Sequence, residues 1–349
     1  ISPAGISTLC NAQWKRNRPG LTALRLPLAL ESGLALPKGA RVAVFAPRVG
    51  ASLSALRDAP VHVITTTKPD YDYFAGLGYA CNTAPEGRYG ASVVCIPRAK
   101  ELARALIAQA ASVTDGPVIV DGLKTDGIES VLKSCRKAAD GVAGPINKAH
   151  GKLFWMDPAP DLSAWMTPGQ TEIEGGFVTA PGVFSADAVD GASQALMAEL
   201  PETIGGHLID LGAGWGYLSA MALSREKISQ IDLVEADHTA LDCARRNVAD
   251  ARARFHWDDA LRWRPEALAD IVLMNPPFHS GRTADPKLGQ AFIRAAAGML
   301  KPAGHLWMVA NRHLAYESVL SEAFGELREV AGDNRFKVLH ARRPSRARR

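Results

Sequence analysis

The apolar run Ile271-Val272-Leu273-Met274 ends in Asn275-Pro276-Pro277-Phe278, four residues that bring together two kinds of hydrogen-bond acceptor and a flat ring. Asn275 supplies a side-chain oxygen, Pro276 a carbonyl with no N–H of its own, and Phe278 an aromatic face. A planar NH2 group suits such a set. Two acceptors can take both amine hydrogens and draw the nitrogen out of conjugation, while the ring stacks on the base that carries it. Alone, the motif equally describes a tight turn beside an ordinary core Phe, so the rest of the chain has to decide.

A second group of residues lies upstream. Leu208-Ile209-Asp210-Leu211-Gly212-Ala213-Gly214-Trp215-Gly216 reads as a strand ending in a glycine-rich turn, with a helix from about Tyr217. Glycines let the backbone approach a ligand closely, and a helix start offers unpaired N–H groups. Glu235 ends the next apolar run and Asp259 the one after. An acid at the end of the second strand is placed to accept hydrogen bonds from ribose hydroxyls. A nicotinamide dehydrogenase would share the turn and that acid, but it would leave Asn275–Phe278 unexplained.

These groups need elements to hold them. The run before Asn275 is too short for a helix and rich in branched residues, which predicts a buried parallel strand that the prolines stop. Similar runs recur at Val42–Phe45, Val61–Thr65, Ser92–Ile96 and Val118–Val120, with helical patterns over Ala99–Ala111 and Thr125–Ala138. The second half repeats the order with Leu208–Leu211, Ile231–Val234, Ala253–His256, the helical Leu288–Leu300, and Leu306–Ala310. Alternating strand and helix predicts an α/β fold with parallel sheets. Glu129-Ser130-Val131-Leu132 and Glu317-Ser318-Val319-Leu320 occupy equivalent places in the two series, which points to a duplication. The first copy has Pro97-Arg98 where the second has Asn275–Phe278, and Ala46-Pro47-Arg48-Val49-Gly50 where the second has its glycine turn. The expected organisation is a degenerate domain over residues 1–165, for RNA recognition or scaffolding, and a catalytic domain over 166–349. The proline- and glycine-containing stretch Asp157–Gly176 joins them.

Composition narrows the partners. Residues 1–150 hold 18 Lys and Arg against 11 Asp and Glu, and five arginines fall in the last eight residues, a distribution suited to a phosphate backbone. The five cysteines are scattered with no Cys-x-x-Cys pair, which argues against a disulfide framework or a zinc site and fits a reducing cytoplasm. No stretch approaches the apolar length of a membrane helix. The chain opens at Ile1 without methionine and without a signal-peptide pattern, which leaves room for a missing N-terminal piece.

From about Gly182 to Val338 the chain resembles the class I S-adenosylmethionine-dependent methyltransferases. Narrower motifs resemble the ribosomal RNA small-subunit methyltransferase C family: Ala180-Pro181-Gly182-Val183-Phe184-Ser185, Asn275-Pro276-Pro277-Phe278-His279, Leu288-Gly289-Gln290-Ala291-Phe292-Ile293, Val309-Ala310-Asn311-Arg312 and Arg335-Phe336-Lys337-Val338. Ala213, Trp215 and Ala315 depart from residues frequent in that family, and none of them removes a proposed chemical group. The resemblance implies two tandem Rossmann-like methyltransferase domains, S-adenosylmethionine as cofactor, no metal, and methylation of a guanine N2 amine in ribosomal RNA or the small subunit by a monomer. It also implies roles. Asn275, Pro276, Pro277 and Phe278 would be catalytic. Asp210, Gly212 and Gly214 would hold the methionine end, Glu235 the ribose, and Asp259 with Ala260 the adenine. Phe184, Arg312 and Lys337 would be candidates for touching RNA. Large-subunit guanine N2 enzymes, adenine N6 or glutamine methyltransferases, and a non-catalytic RNA-binding or assembly protein stay open as alternatives.

Overall fold

The computed structural model describes residues 21–167, 169–277, 279–280, 283–284 and 286–345, so Phe278, the segment around Trp14 and Arg346, Arg348 and Arg349 lie outside the described residues. The chain divides into two compact units, Ile1–Thr167 and Pro168–Arg349.

In the first unit, β1 (Val42–Phe45), β2 (Val61–Ile64), β3 (Ala80–Asn82), β4 (Ala91–Cys95), β5 (Val118–Leu123), β6 (Val142–Lys148) and β7 (Gly151–Met156) form one sheet ordered β3-β2-β1-β4-β5-β7-β6. Every residue of β1 and β4 is buried, as expected of strands covered on both faces. Helices Lys100–Ser112 and Ile128–Ala138 cover one face through Ala103, Ile107, Ile128 and Val131. Helices Leu21–Glu31 and Lys68–Gly76 cover the other through Leu26, Ala29 and Phe74.

A hairpin with a three-residue loop, β8 (Thr171–Ile173) with β9 (Phe177–Thr179), opens the second unit. Its main sheet holds β10 (Gly206–Leu211), β11 (Ile228–Glu235), β12 (Ala253–Trp257), β13 (Ala269–Met274), β16 (Leu300–Asn311), β17 (Phe324–Gly332) and β18 (Phe336–Pro344). Between β13 and β16 lie the short paired strands β14 (His279–Ser280) and β15 (Thr283–Ala284). The main-sheet order is β12-β11-β10-β13-β16-β18-β17, the first unit's order repeated strand for strand. The shared Glu-Ser-Val-Leu sequences start equivalent helices, Ile128–Ala138 and Glu317–Ala323, and each buries its Val-Leu pair. Two Rossmann-like domains of one topology therefore follow one another along the chain, as the duplication predicts.

Neither sheet is wholly parallel, which corrects one expectation. β7 runs antiparallel to β5 and β6, and β18 antiparallel to β16 and β17. The β6–β7 connection is Ala149-His150, both at positive φ (49° and 55°), and so short a link permits only an antiparallel pair. β17 escapes an apolar pattern because, as an edge strand, most of its residues are partly or fully exposed.

One buried ion pair ties the first unit's opening helix to its sheet. The Arg25 Nε donates to Asp121 Oδ1 at 2.5 Å and Nη1 donates to the Lys148 carbonyl at 2.9 Å, both charged side chains being fully buried. Gly151 makes room for this, since a Cβ there would lie 2.5 Å from Nη1 and 2.6 Å from the Gly122 carbonyl. Burial pushes the Asp121 carboxyl upward and the guanidinium opposes it. Replacing Arg25 by Met leaves that carboxylate buried and unpaired. Denaturant unfolding of the full chain is expected to show a loss of roughly 3–5 kcal/mol, with the amides of β5 and β7 losing hydrogen-exchange protection.

Candidate active site

The strand order of the second unit reverses between β10 and β13, the point at which an open α/β sheet leaves a crevice at its carboxyl edge. Register pairs Asp210 with Leu273, so the glycine turn after β10 and Asn275 after β13 leave neighbouring strands at that one edge.

Gly212, Gly214 and Gly216 have φ of 81°, 55° and 87°, a region that side chains other than glycine's seldom enter. The turn is pinned to β11. The amides of Gly212 and Ala213 donate to the Val234 carbonyl, and that of Gly214 donates to Glu235 Oε2 at 2.8 Å. The other Glu235 oxygen accepts from the Asp237 amide at 2.8 Å, and Asp237 caps helix His238–Asn247. Burial raises the Glu235 carboxyl above its ordinary range, with these N–H groups pulling it back.

Asp210 is fully buried, one oxygen accepting from the Ser219 hydroxyl at 2.7 Å. Its Oδ1 has no partner among the described residues. Burial pushes the carboxyl up to about 7; the Ser219 hydroxyl opposes the rise and the Glu235 charge adds to it. A buried acceptor with no donor leaves room for a cation or an N–H from a ligand. Asp259 shapes its turn by accepting from the Leu261 amide at 2.9 Å, and Ala260 beside it is buried.

Across the edge, Asn275 spends both of its amide hydrogens. Nδ2 donates to Asp190 Oδ2 and to Ser193 Oγ, each at 2.9 Å. Its Oδ1 is buried and has no partner among the described residues. Asp190 is the N-cap of helix Gly191–Glu199 and accepts from the Ser193 amide at 2.8 Å and the Ser193 hydroxyl at 3.1 Å. Sequence reasoning did not single out Asp190, Ser193 or Ser219. An Asp ahead of a helix signals a cap, but its bond to a residue 85 positions away leaves no local trace. Pro276 is buried and Pro277 exposed.

Of the three residues expected to reach RNA, only Phe184 is exposed, at 55%. Its loop is held by Trp215, whose Nε1 donates to the Phe184 carbonyl at 3.0 Å, next to Ser185 at a φ of 51°. Arg312 instead donates to the carbonyls of Asp333 and Phe336 and pairs with Glu329 at 2.7 Å, tying down the β17–β18 turn. Lys337 is buried at 3% exposure against Glu317. Both cations are already engaged within the domain. No cluster of three or more His, Cys, Asp or Glu side chains among the described residues is arranged to hold a metal ion, and no helix among them is long and apolar enough to cross a membrane.

Residues 174–340 match the family described as methyltransferase small domain. A curated relative from Pseudomonas paraeruginosa (strain DSM 24068 / PA7), a ribosomal RNA small subunit methyltransferase C, is 33% identical over 283 residues, 78% of this chain and 84% of its own. A ribosomal RNA large subunit methyltransferase G from Shewanella amazonensis is 32% identical, over 65% of this chain and 62% of its own. Among solved structures, a T. thermophilus 16S rRNA N2 methyltransferase in complex with AdoMet and guanosine superposes with a TM-score of 0.74 at 26% identity, covering 93% of this chain and 94% of that one. With the small-subunit relatives matched along most of both chains and the two-domain architecture shared, the chain belongs to the ribosomal RNA small subunit methyltransferase C family.

Proposed function

We propose that this protein transfers a methyl group from S-adenosylmethionine to the exocyclic N2 amine of a guanosine in ribosomal RNA, with 16S RNA of the small subunit as its substrate. The observation that carries the reading is the Asn275 amide, both donors used and its buried oxygen unpaired, at the edge it shares with the glycine turn. An unpaired acceptor matches an NH2 group and mismatches a carbonyl. The unpartnered Asp210 oxygen and the positive-φ glycines fit the donor's charged amino-acid end and its close approach to backbone.

Bound S-adenosylmethionine supplies a methyl group on a positively charged sulfur. The protein's own part is to hold and orient. Asp210, Gly212 and Gly214 receive the amino-acid end, Glu235 the ribose hydroxyls, and Asp259 with Ala260 the adenine. Asn275 Oδ1 and the Pro276 carbonyl each accept one amine hydrogen, which draws the nitrogen lone pair out of conjugation with the ring. Pro277 fixes the turn. Phe278 stacks on the unstacked guanine, worth about 1–3 kcal/mol. The surplus amine proton leaves to solvent, so positioning and electrostatics carry the rate. Phe184 lies exposed for a neighbouring base. The basic half of the chain, as a degenerate methyltransferase domain, serves RNA recognition or scaffolding. The proposed enzyme works as a monomer in the cytoplasm, and the small-subunit relatives favour the small subunit as its substrate. The large-subunit relative favours a second reading, in which the guanosine belongs to large-subunit RNA.

Incubating each ribosomal subunit and protein-free RNA with labelled S-adenosylmethionine, then digesting to nucleosides, is expected to give N2-methylguanosine from the small subunit. Label in adenosine or in protein contradicts the reading. Asn275→Ala is expected to lower kcat by about 10²-fold or more, the scale of losing a group that acts on the transition state, with the calorimetric Kd for S-adenosylmethionine within about threefold.

Asp210 gives a pH signature. A carboxyl whose folded pKa is raised above its ordinary 3.8 to about 7 contributes stability that is fully present below pH 3.8 and lost as pH rises through 7. A bound ammonium favours the ionised form, so affinity moves oppositely. Thermal melts should show Asp210→Asn gaining stability relative to wild type between pH 5 and 8. Calorimetry should show wild-type affinity for S-adenosylmethionine rising across that window and the variant's staying flat.

A further inference from the structure

We propose that Asp190 and Ser193 are positioning residues that fix which end of the Asn275 amide faces the substrate. This rests on the reading of Asn275 as an amine acceptor. A primary amide is nearly symmetric in shape, and a half-turn of its terminal torsion exchanges an acceptor for a donor. The exchange would be fatal to amine recognition, because NH2 would then face NH2.

Two bonds forbid it here. The atom of Asn275 that meets Asp190 Oδ2 at 2.9 Å must be a donor, since an ionised carboxylate only accepts. A half-turn would set two oxygens against each other in a site where the Asn275 oxygen is already shielded from water. Ser193 adds a second constraint. Its hydroxyl hydrogen goes to Asp190 Oδ2 at 3.1 Å, leaving its lone pairs for the other amide hydrogen at 2.9 Å. Both donors are consumed and Oδ1 alone is left to face a substrate.

The pair is itself held. The same Asp190 oxygen accepts from the Ser193 backbone amide, closing the first turn of helix Gly191–Glu199. That helix buries Ala192 and Leu196 in the core with Trp307, Val309 and Val338 of the central sheet. The cap thus takes its position from the core, and the amide takes its orientation from the cap. A helix cap by itself asks only for Asp, Asn, Ser or Thr. Reaching Asn275 as well asks for an acceptor at the length of Asp or Asn, and this separates the two roles.

The test uses the full chain with unmethylated small ribosomal subunits and labelled S-adenosylmethionine. Asp190→Ser keeps a capping hydroxyl but falls short of Asn275, and is expected to lose about 10–100-fold in kcat, the scale of a lost hydrogen bond to a charged group. Ser193→Ala is expected to lose about tenfold. In both, KM for S-adenosylmethionine should stay within about twofold. Asp190→Asn should recover most of what Asp190→Ser loses, because the Ser193 amide selects the oxygen of the new side chain. Three results overturn the proposal: wild-type kcat in Asp190→Ser and Ser193→Ala; no recovery in Asp190→Asn; or a fall in melting temperature and cofactor affinity that accounts for the lost rate. Asn275→Ala, run alongside, separates the two levels. If it stays active, the amine-acceptor reading fails; if it is dead while Asp190→Ser is wild type, only the positioning role fails.

Discussion

A side-chain amide inside a protein is useful to chemistry only if its two ends are told apart, and in this protein that distinction is made by a carboxylate. Asp190 takes a hydrogen from Asn275, Ser193 takes the other, and the remaining oxygen has no partner among the described residues. Burial makes an unpaired acceptor costly, on the order of 1–3 kcal/mol, and a ligand amine would relieve the cost. The unpartnered oxygen of Asp210 across the same edge is a second such site. Among the described residues, one acceptor without a donor lies on β10 and one directly after β13, the two strands that flank the reversal of strand order.

The first unit shows what the same topology looks like with these features closed. Its strand order is identical, yet the turn after β1 is occupied from within. Asp70, buried in helix Lys68–Gly76, accepts from the Val49 amide at 2.8 Å and pairs with Arg48 at 3.0 Å. In the second unit the turn after β10 is held by Glu235, which accepts from the Gly214 amide. β4 runs out into Ile96-Pro97-Arg98, with no amide side chain to present. Asp121, a buried carboxylate on β5, is satisfied by Arg25.

Much of this was legible in the sequence because it is written locally. Short branched runs announce buried strands, glycines at positive φ announce the turn, and the prolines after Asn275 announce where a strand must stop. The equivalent Glu-Ser-Val-Leu sequences announced the repeat because each sets the same Val-Leu pair into a core. What was not legible depends on partners distant in sequence. The orientation of Asn275 is decided 85 residues upstream. Arg312 and Lys337 stood as candidates for touching RNA, but Arg312 is bonded to Glu329 and to the Asp333 and Phe336 carbonyls, and Lys337 to Glu317. The edge strand β17 carries no apolar run, so the antiparallel hairpin left no signature until it was paired.

The proposed role of Asn275 requires an oriented amide oxygen at the carboxyl edge of β13 to receive a nucleobase amine. A crystal structure of the protein with S-adenosylhomocysteine and guanosine tests it most directly. The guanine N2 nitrogen is expected about 3 Å from Asn275 Oδ1, with the Asn275 nitrogen still bonded to Asp190 and Ser193. A guanine bound with its carbonyl edge toward Asn275, or an Asn275 side chain turned away from Asp190 when the base is present, would contradict it.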